Sequence, residues 1–300
     1  MNKKEFSFNI ERKNMKVLLT GAYGQLGYDY QILFNSLGIE YLATDYEDLN
    51  ITDNKKLEDF FLKNRNFDII INCAAYNDVD KAETDEKKCY MLNSEAPERL
   101  AKISKRIGAI FVTYSTDFVF DGEKRNPYIE EDVPNPLSIY GKSKYKGELS
   151  VLNAYEKLYV IRTSWVFGIS NNNFNKQVIN WSKAKNKLNI VDDQVSVPTY
   201  SKDLAEFSWE LIKTGKFGLY HISNSGECSK FEQAKYVLEK IGWNGKLETA
   251  KTKDFKLPAA RAEYTKLSSE KTEKLLGKKI PDWKDAIDRF LQEMKEKGEL

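Results

Sequence analysis

Lys16-Val-Leu-Leu-Thr-Gly21-Ala-Tyr-Gly24-Gln-Leu-Gly27 is the stretch from which the fold can be read. Its first five residues form a short apolar run that ends at a glycine, the pattern of a buried strand. Residues 28–37 follow as a helical run closed by Gly38. Strand, glycine turn and helix in that order give a glycine motif its meaning. Glycine lets the backbone turn tightly and approach a pyrophosphate. The helix N-terminus behind it offers free N–H groups and partial positive charge. The Gly-x-x-Gly-x-x-Gly spacing therefore points to a bound dinucleotide. Without a ligand, the same turn would serve only close helix–strand packing.

Further strands are expected at 39–44, 67–72, 109–114 and 158–162. Helical runs lie between them at 55–64, behind Asp53 as N-cap, at 81–107 with an interruption at Pro97, and at 142–155. This alternation predicts an α/β fold, a Rossmann-type doubly wound parallel sheet whose ligands sit at the strand carboxyl ends. The glycine turn, the small residues at Ala74-Ala75-Tyr76, Ser115-Thr116-Asp117 and Trp165 all fall on that edge. Asp45 follows the second strand about 20 residues after the turn, where a carboxylate grips the adenosine ribose. Tyr46, Glu47 and Asp48 come next, with no arginine. A 2′-phosphate would be repelled there, so NADH is favoured, with NADPH as the second candidate.

After Gly168 the pattern loosens. A polar turn at 171–174 precedes a helix. Then come a strand at 188–191, a connector, a helix at 201–213 with Ser201 as N-cap, a strand at 219–223 and a helix at 229–241. A last amphipathic helix at 283–295 carries Trp283, Ile287, Phe290 and Leu291 on one face. The expected division is a flexible extension at 1–14 ahead of Met15, a dinucleotide-binding domain at 15–170 plus about 198–216, and a smaller α/β substrate-binding lobe at about 171–197 and 217–300.

Tyr140 and Lys144 stand four residues apart after Pro134 and Pro136. If a helix begins by Ser138, phenol and ammonium emerge side by side. A free tyrosine is a reluctant acid at neutral pH. A neighbouring ammonium favours the phenolate and is expected to lower its pKa. Tyr140 can then give a proton to a carbonyl oxygen as hydride reaches the carbon. In a chain with 17 tyrosines, the spacing alone is equally that of an incidental pair on an exposed helix.

Composition narrows the classes. The 300 residues are 41% apolar and 13% aromatic, enough for a substantial core, and the net charge is +2 with 47 basic and 45 acidic residues interspersed. No basic stripe suggests nucleic acid. No apolar run approaches a membrane span, and no apolar segment follows the basic residues of 1–14, so a secretory signal is not expected. Cys73, Cys89 and Cys228 are odd in number and show no zinc spacing, which suits reduced thiols in a cytoplasmic protein without a metal. His221, the single histidine, lies in an apparent strand and reads as structural, and neither a Gly-x-Ser-x-Gly elbow nor a P-loop is present.

The segments Gly21–Gly27, 72–83 (NCAAYNDVDKAE), 115–122 (STDFVFDG), 140–148 (YGKSKYKGE), 162–166 (RTSWV), Asn173-Phe174, Asp193-Gln194 and Pro198-Thr199 together resemble the extended short-chain dehydrogenases/reductases and, within them, the dTDP-4-dehydrorhamnose reductase family. They run in that family's order over nearly the whole chain from Met15. The resemblance implies NAD(P)H-dependent reduction of the C4 keto group of a dTDP-linked 4-keto-6-deoxy sugar, for cell-surface polysaccharide synthesis, and a homodimer. It implies Tyr140 as proton donor, Lys144 on the nicotinamide ribose and Thr116 on the same oxygen as Tyr140. Gly21, Gly24 and Gly27, with Gln25 and Leu26, would hold the pyrophosphate. Asp45 would take the ribose, Asn50 and Ile51 the adenine, and Ala74, Ala75, Tyr76 and Tyr114 the rest of the cofactor. Asn77, Val79, Asp117 and Trp165 would face the nucleotide-sugar, and Arg261 its diphosphate. The sequence departs from the family at Asn50, where aspartate is usual, at Phe118, and at Ala262 and Thr265 in the run from Arg261 to Leu267. The alternatives are a reductase of another nucleotide-linked 4-keto-6-deoxy sugar and a non-catalytic dinucleotide-binding regulatory subunit.

Overall fold

The computed structural model describes residues 15–300, and the extension expected at 1–14 lies outside the described residues. From Met15 the chain runs β1 (Lys16–Thr20), α1 (Gln25–Leu37), β2 (Glu40–Thr44), α2 (Asn54–Lys63), β3 (Ile69–Asn72), α3 (Val79–Ala82), α4 (Glu86–Tyr90), α5 (Ala96–Ile107), β4 (Ile110–Thr116), α6 (Ile139–Ala154) and β5 (Leu158–Thr163). It continues through β6 (Val166–Phe167), α7 (Phe174–Ala184), β7 (Lys187–Val191), β8 (Val195–Ser196), β9 (Thr199–Tyr200), α8 (Ser201–Lys213), β10 (Gly218–His221), β11 (Cys228–Ser229), α9 (Lys230–Lys240), β12 (Lys246–Ala250), α10 (Glu270–Leu276) and α11 (Trp283–Glu296).

Six strands form the central sheet in the order β10-β5-β4-β3-β1-β2, with every pairing parallel. This is the expected doubly wound α/β architecture. Side chains alternate across it, as a strand's period of two requires. Val17, Leu19, Ile69, Ile71, Val112 and Ile161 join one core with α1 and α8. Leu18, Ile70, Phe111 and Val160 join the other with α2, α5 and α6. Continuous apolar strands are thus explained by burial on both faces. The strand order reverses beside β1, whose neighbours β2 and β3 lead the chain in opposite directions, and this opens a crevice above the carboxyl ends.

A third core lies outside the sheet. Val178 and Ile179 of α7, Leu188 and Ile190 of β7, Val237 and Leu238 of α9, and Phe290 and Leu291 of α11 pack together there. The apolar face expected of the last helix is the face it buries. β7 pairs in parallel with β12, a strand that periodicity did not reveal because its sequence, Lys-Leu-Glu-Thr-Ala, is only half buried.

Three local expectations need correction. β10, assigned by sequence to the smaller lobe, joins the central sheet beside β5, because Tyr220 and Ile222 complete the core under α8. Ser201 is not the N-cap of α8; Tyr200 is, and the Ser201 hydroxyl instead bonds the Asp29 carboxylate and Phe167 O. Pro97 does not end its helix. It lies in the first turn of α5, directly behind a π turn at Met91–Glu95 that links α4 to α5. Proline has no N–H for the carbonyl four residues earlier, Asn93 O. That oxygen faces α6, where a Cβ on Gly147 would stand 2.1 Å from it.

Candidate active site

The glycine turn is built by close backbone approach. Gly21 has φ 67°, and a Cβ there would lie 2.4 Å from Ala74 N. Gly24 is extended and caps α1, so the helix begins at Gln25, inside the turn, and directs its free N–H groups to the crevice. A Cβ on Gly27 would lie 2.3 Å from Gly21 O, so Gly27 acts through packing and lines no cavity. Residues 170–173 fold back over the turn. Gln25 Nε2 donates to Asn171 O at 3.0 Å, and Asn171 Nδ2 donates to Tyr23 O at 3.0 Å.

Two cavities follow the sheet edge. One of about 390 Å³ is lined by Gly21, Gly24, Asp45, Asn50, Ile51, Ala74, Ala75 and Asn77, among others. At its rim the Asp45 carboxylate accepts from Tyr23 N at 3.0 Å and from Tyr46 N at 2.8 Å. The Asn50 side-chain oxygen is taken by Thr52. A second cavity of about 460 Å³ is lined by Gln25, Leu26, Val79, Tyr114, Thr116, Asp117, Tyr140, Lys144 and Trp165. The two share Gly24, Cys73, Ala75, Asn77 and Asn171, so they form one continuous groove.

The inner end depends on where α6 starts. Ser138 caps it by accepting from Gly141 N at 3.2 Å, which places Tyr140 and Lys144 on one face, as their spacing predicted. Gly141 permits this position, since a Cβ there would stand 2.3 Å from Phe118 O. Tyr140 thereby comes beside Thr116, whose hydroxyl favours the phenol's ionised form. Lys144 Nζ donates to Tyr114 O at 2.8 Å. Tyr114 turns its own phenol away, to Tyr30 at 2.5 Å. Asp117 is fully engaged by hydroxyls: Thr116 at 3.1 Å, Ser196 at 2.9 Å and Thr265 at 2.5 Å. Trp165, with φ 42°, is one of two non-glycine residues with positive φ among the described residues, and it lines the inner cavity.

This layout matches proteins of known kind. The family model for the RmlD substrate binding domain matches residues 15–296. The chain belongs to the RmlD family. It is 37% identical over 278 residues to the spore coat polysaccharide biosynthesis protein SpsK of Bacillus subtilis, covering 93% of this chain and 97% of that one. A crystal structure of a dTDP-4-dehydrorhamnose reductase from Clostridium acetobutylicum superposes with TM-score 0.90 at 35% identity, covering 94% and 100% of the two chains. The Bacillus anthracis dTDP-4-dehydrorhamnose reductase, in complex with NADP, superposes with TM-score 0.89 at 36% identity, covering 93% and 99%.

Within this RmlD-family chain, two expected residues besides Gly27 stand apart from the groove. Tyr76 packs its ring against Cys89 and Tyr140, with its hydroxyl 3.3 Å from Asp85, and lines neither cavity. Its backbone is gripped at both ends by Asn93, through Tyr76 N at 2.8 Å and Tyr76 O at 3.0 Å. Arg261 lines a separate small cavity with Phe118, Trp165, Gln194 and Thr265. Its guanidinium is held by both Asp80 oxygens, at 3.1 and 2.7 Å.

Electrostatics also correct one expectation. Burial raises the Tyr140 pKa above the ordinary phenol value, Thr116 opposes this, and Lys144 is not among the groups that lower it. The ammonium is turned to Tyr114 O instead, and burial pushes Lys144 itself down to about 8. Tyr140 is therefore a protonated phenol at neutral pH, the form a proton donor needs. Cys73, Asn171 and Ser196 are site residues that sequence reasoning did not single out, and Thr265 was noted only as a departure from the family. Asp80 and Glu148 lay inside motifs already quoted. Among the described residues, no cluster of acidic, histidine or cysteine side chains could hold a metal, and no helix is long and apolar enough to cross a membrane.

Proposed function

We propose that this protein is an NAD(P)H-dependent reductase that converts the C4 ketone of dTDP-4-dehydro-L-rhamnose to the alcohol of dTDP-L-rhamnose, for cell-surface polysaccharide synthesis. The observation that carries this reading is the convergence of Tyr140 and Thr116 at the inner end of a groove continuous with the glycine turn. The groove fits a nicotinamide dinucleotide: Gly21 and Gly24 line its outer part beside the start of α1, and Asp45 stands fixed at the far rim. Gly21, Gly24, Gln25 and Leu26 hold its pyrophosphate, Asp45 its ribose, and Ala74, Ala75 and Lys144 its inner half. When bound, that group supplies hydride.

The chain's own residues do the rest. Thr116 turns its hydroxyl from Asp117 to the substrate, so that it and Tyr140 hold the carbonyl oxygen where negative charge develops. Tyr140, kept protonated by burial, gives its proton to that oxygen. Asp117 binds no substrate atom through a free oxygen; it locks Thr116 to Ser196 and Thr265 and so ties the sheet edge to the opposite wall. That wall, from about 171–197 and the chain beyond β10, is the substrate-binding lobe, with Trp165 at the join.

NADH is the preferred reductant in this reading, which the Asp45 carboxylate at the rim supports, since it would repel a 2′-phosphate. Asp45→Ser should raise the efficiency with NADPH relative to NADH. A second reading, a reductase of another nucleotide-linked 4-keto-6-deoxy sugar, is favoured by the Arg261-Ala262-Glu263 run, where the family has Arg-Pro. Purified protein, NADH or NADPH, and the dTDP-4-keto-6-deoxy sugar made in situ test the proposal through loss of reduced-nicotinamide absorbance. Oxidation giving dTDP-rhamnose supports it. Cofactor binding without oxidation overturns it, and a panel of other keto-sugar nucleotides then tests the second reading.

A further inference from the structure

Lys230 opens α9 and is half-buried, yet it takes part in no ion pair among the described residues. Its ammonium lies 3.4 Å from the centre of the Trp165 ring and 4.5 Å from that of Phe174. Gln233 Oε1, at 3.4 Å, is its one hydrogen-bond acceptor. Its backbone N–H bonds Gln194 O at 3.2 Å, which fixes the start of α9 to the wall of the Arg261 cavity. Trp165 lines both that cavity and the inner end of the groove. Lys230 lines neither cavity itself; its ammonium lies against a ring that both cavities share.

Neighbouring cations are already neutralised. Arg261 is bound by Asp80, and Lys266 pairs with Glu227 at 3.2 Å. The groups that face Lys230 give it little countercharge. Asp117 favours the Lys230 charge through space but forms no ion pair with it, the Cys228 thiol is held protonated by burial, and Glu232 on its own helix is turned back to the Ser229 cap. Taking an ammonium out of water without a carboxylate is costly, and two aromatic faces recover only part of that cost. An anionic ligand would recover the rest.

We propose that Lys230 receives the diphosphate of the nucleotide-sugar, held ready against Trp165 where the reaction cavity meets the Arg261 cavity. This rests on the nucleotide-sugar reading of the site but not on the reaction itself. Burial brings the free Lys230 ammonium down to about 7. A diphosphate beside it stabilises the charged form, so binding above pH 7 takes up a proton.

Calorimetry on the protein saturated with NAD, with dTDP-glucose as an unreactive probe, tests this. Lys230→Met should weaken dTDP-glucose and dTDP alike by about 10- to 100-fold, the factor one charge-assisted hydrogen bond carries. NAD affinity and the melting temperature should not move. Wild-type protein should take up a proton with dTDP-glucose at pH 8 and none at pH 6, and Lys230→Arg should bind well while losing that uptake. Equal affinity of Lys230→Met and wild type for dTDP, absence of proton uptake by wild type, or no binding of either probe overturns the proposal. Failure of wild type to oxidise NADH with the keto sugar, with the Lys230 effect on dTDP-glucose intact, sinks only the reaction reading.

Discussion

Arg162 and Glu148 form a two-pronged ion pair, Nε to Oε1 at 2.9 Å and Nη2 to Oε2 at 2.6 Å, with both side chains only 2% exposed. It joins β5 to the helix that carries Tyr140 and Lys144. The guanidinium also lies over the Phe120 ring and 3.4 Å from His221 Nε2. Burial, then the Arg162 charge, holds His221 well below the usual imidazole range, so the single histidine is a neutral strut.

Glu148→Ala leaves the Arg162 charge buried without its partner. Loss of one member of a buried pair costs about 3–5 kcal/mol. Urea unfolding should show a fall of that order. A change below about 1 kcal/mol would mean the pair does not brace α6.

Tyr140→Phe removes the proton donor and keeps the ring packed against Phe118. kcat should fall by about 10²- to 10⁴-fold. Fluorescence titration with NADH should give a nearly unchanged dissociation constant. Full activity in the variant would reassign the acid.

Lys144 is charged below about pH 8 and neutral above it. If its ammonium holds the cofactor ribose, NADH affinity should be flat below that pH and weaken as pH rises through it. Lys144→Met should bind weakly with no such dependence. A wild-type curve still flat at pH 9.5 would remove Lys144 from the cofactor.

Gly147→Ala drives a methyl group to 2.1 Å from Asn93 O. The π turn must shift, and Asn93 with it, which also grips the Tyr76 backbone and the Ser143 hydroxyl. Overpacking of this kind costs about 1–3 kcal/mol. The melting temperature and kcat should fall together; a drop in neither would show that α6 can move away freely.

Local pattern was enough for the sheet and for most of the groove. Continuous apolar runs ending in small residues suit strands buried on both faces, Gly21 marks a turn that few other residues permit, and Ser138 marks a helix start. The Tyr140–Lys144 spacing likewise fixed a shared helical face. What Lys144 does with its charge was decided by tertiary structure, because its partner, Tyr114 O, comes from another strand, 30 residues away. The same holds for Asp117, satisfied by Ser196 and Thr265 from 79 and 148 residues away, and for Arg261, claimed by Asp80 across 181. Spacing along a chain sets which side chains share a face. Burial and the approach of distant segments set which of them stay charged, which stay protonated, and which, like Lys230, are left with a charge to share.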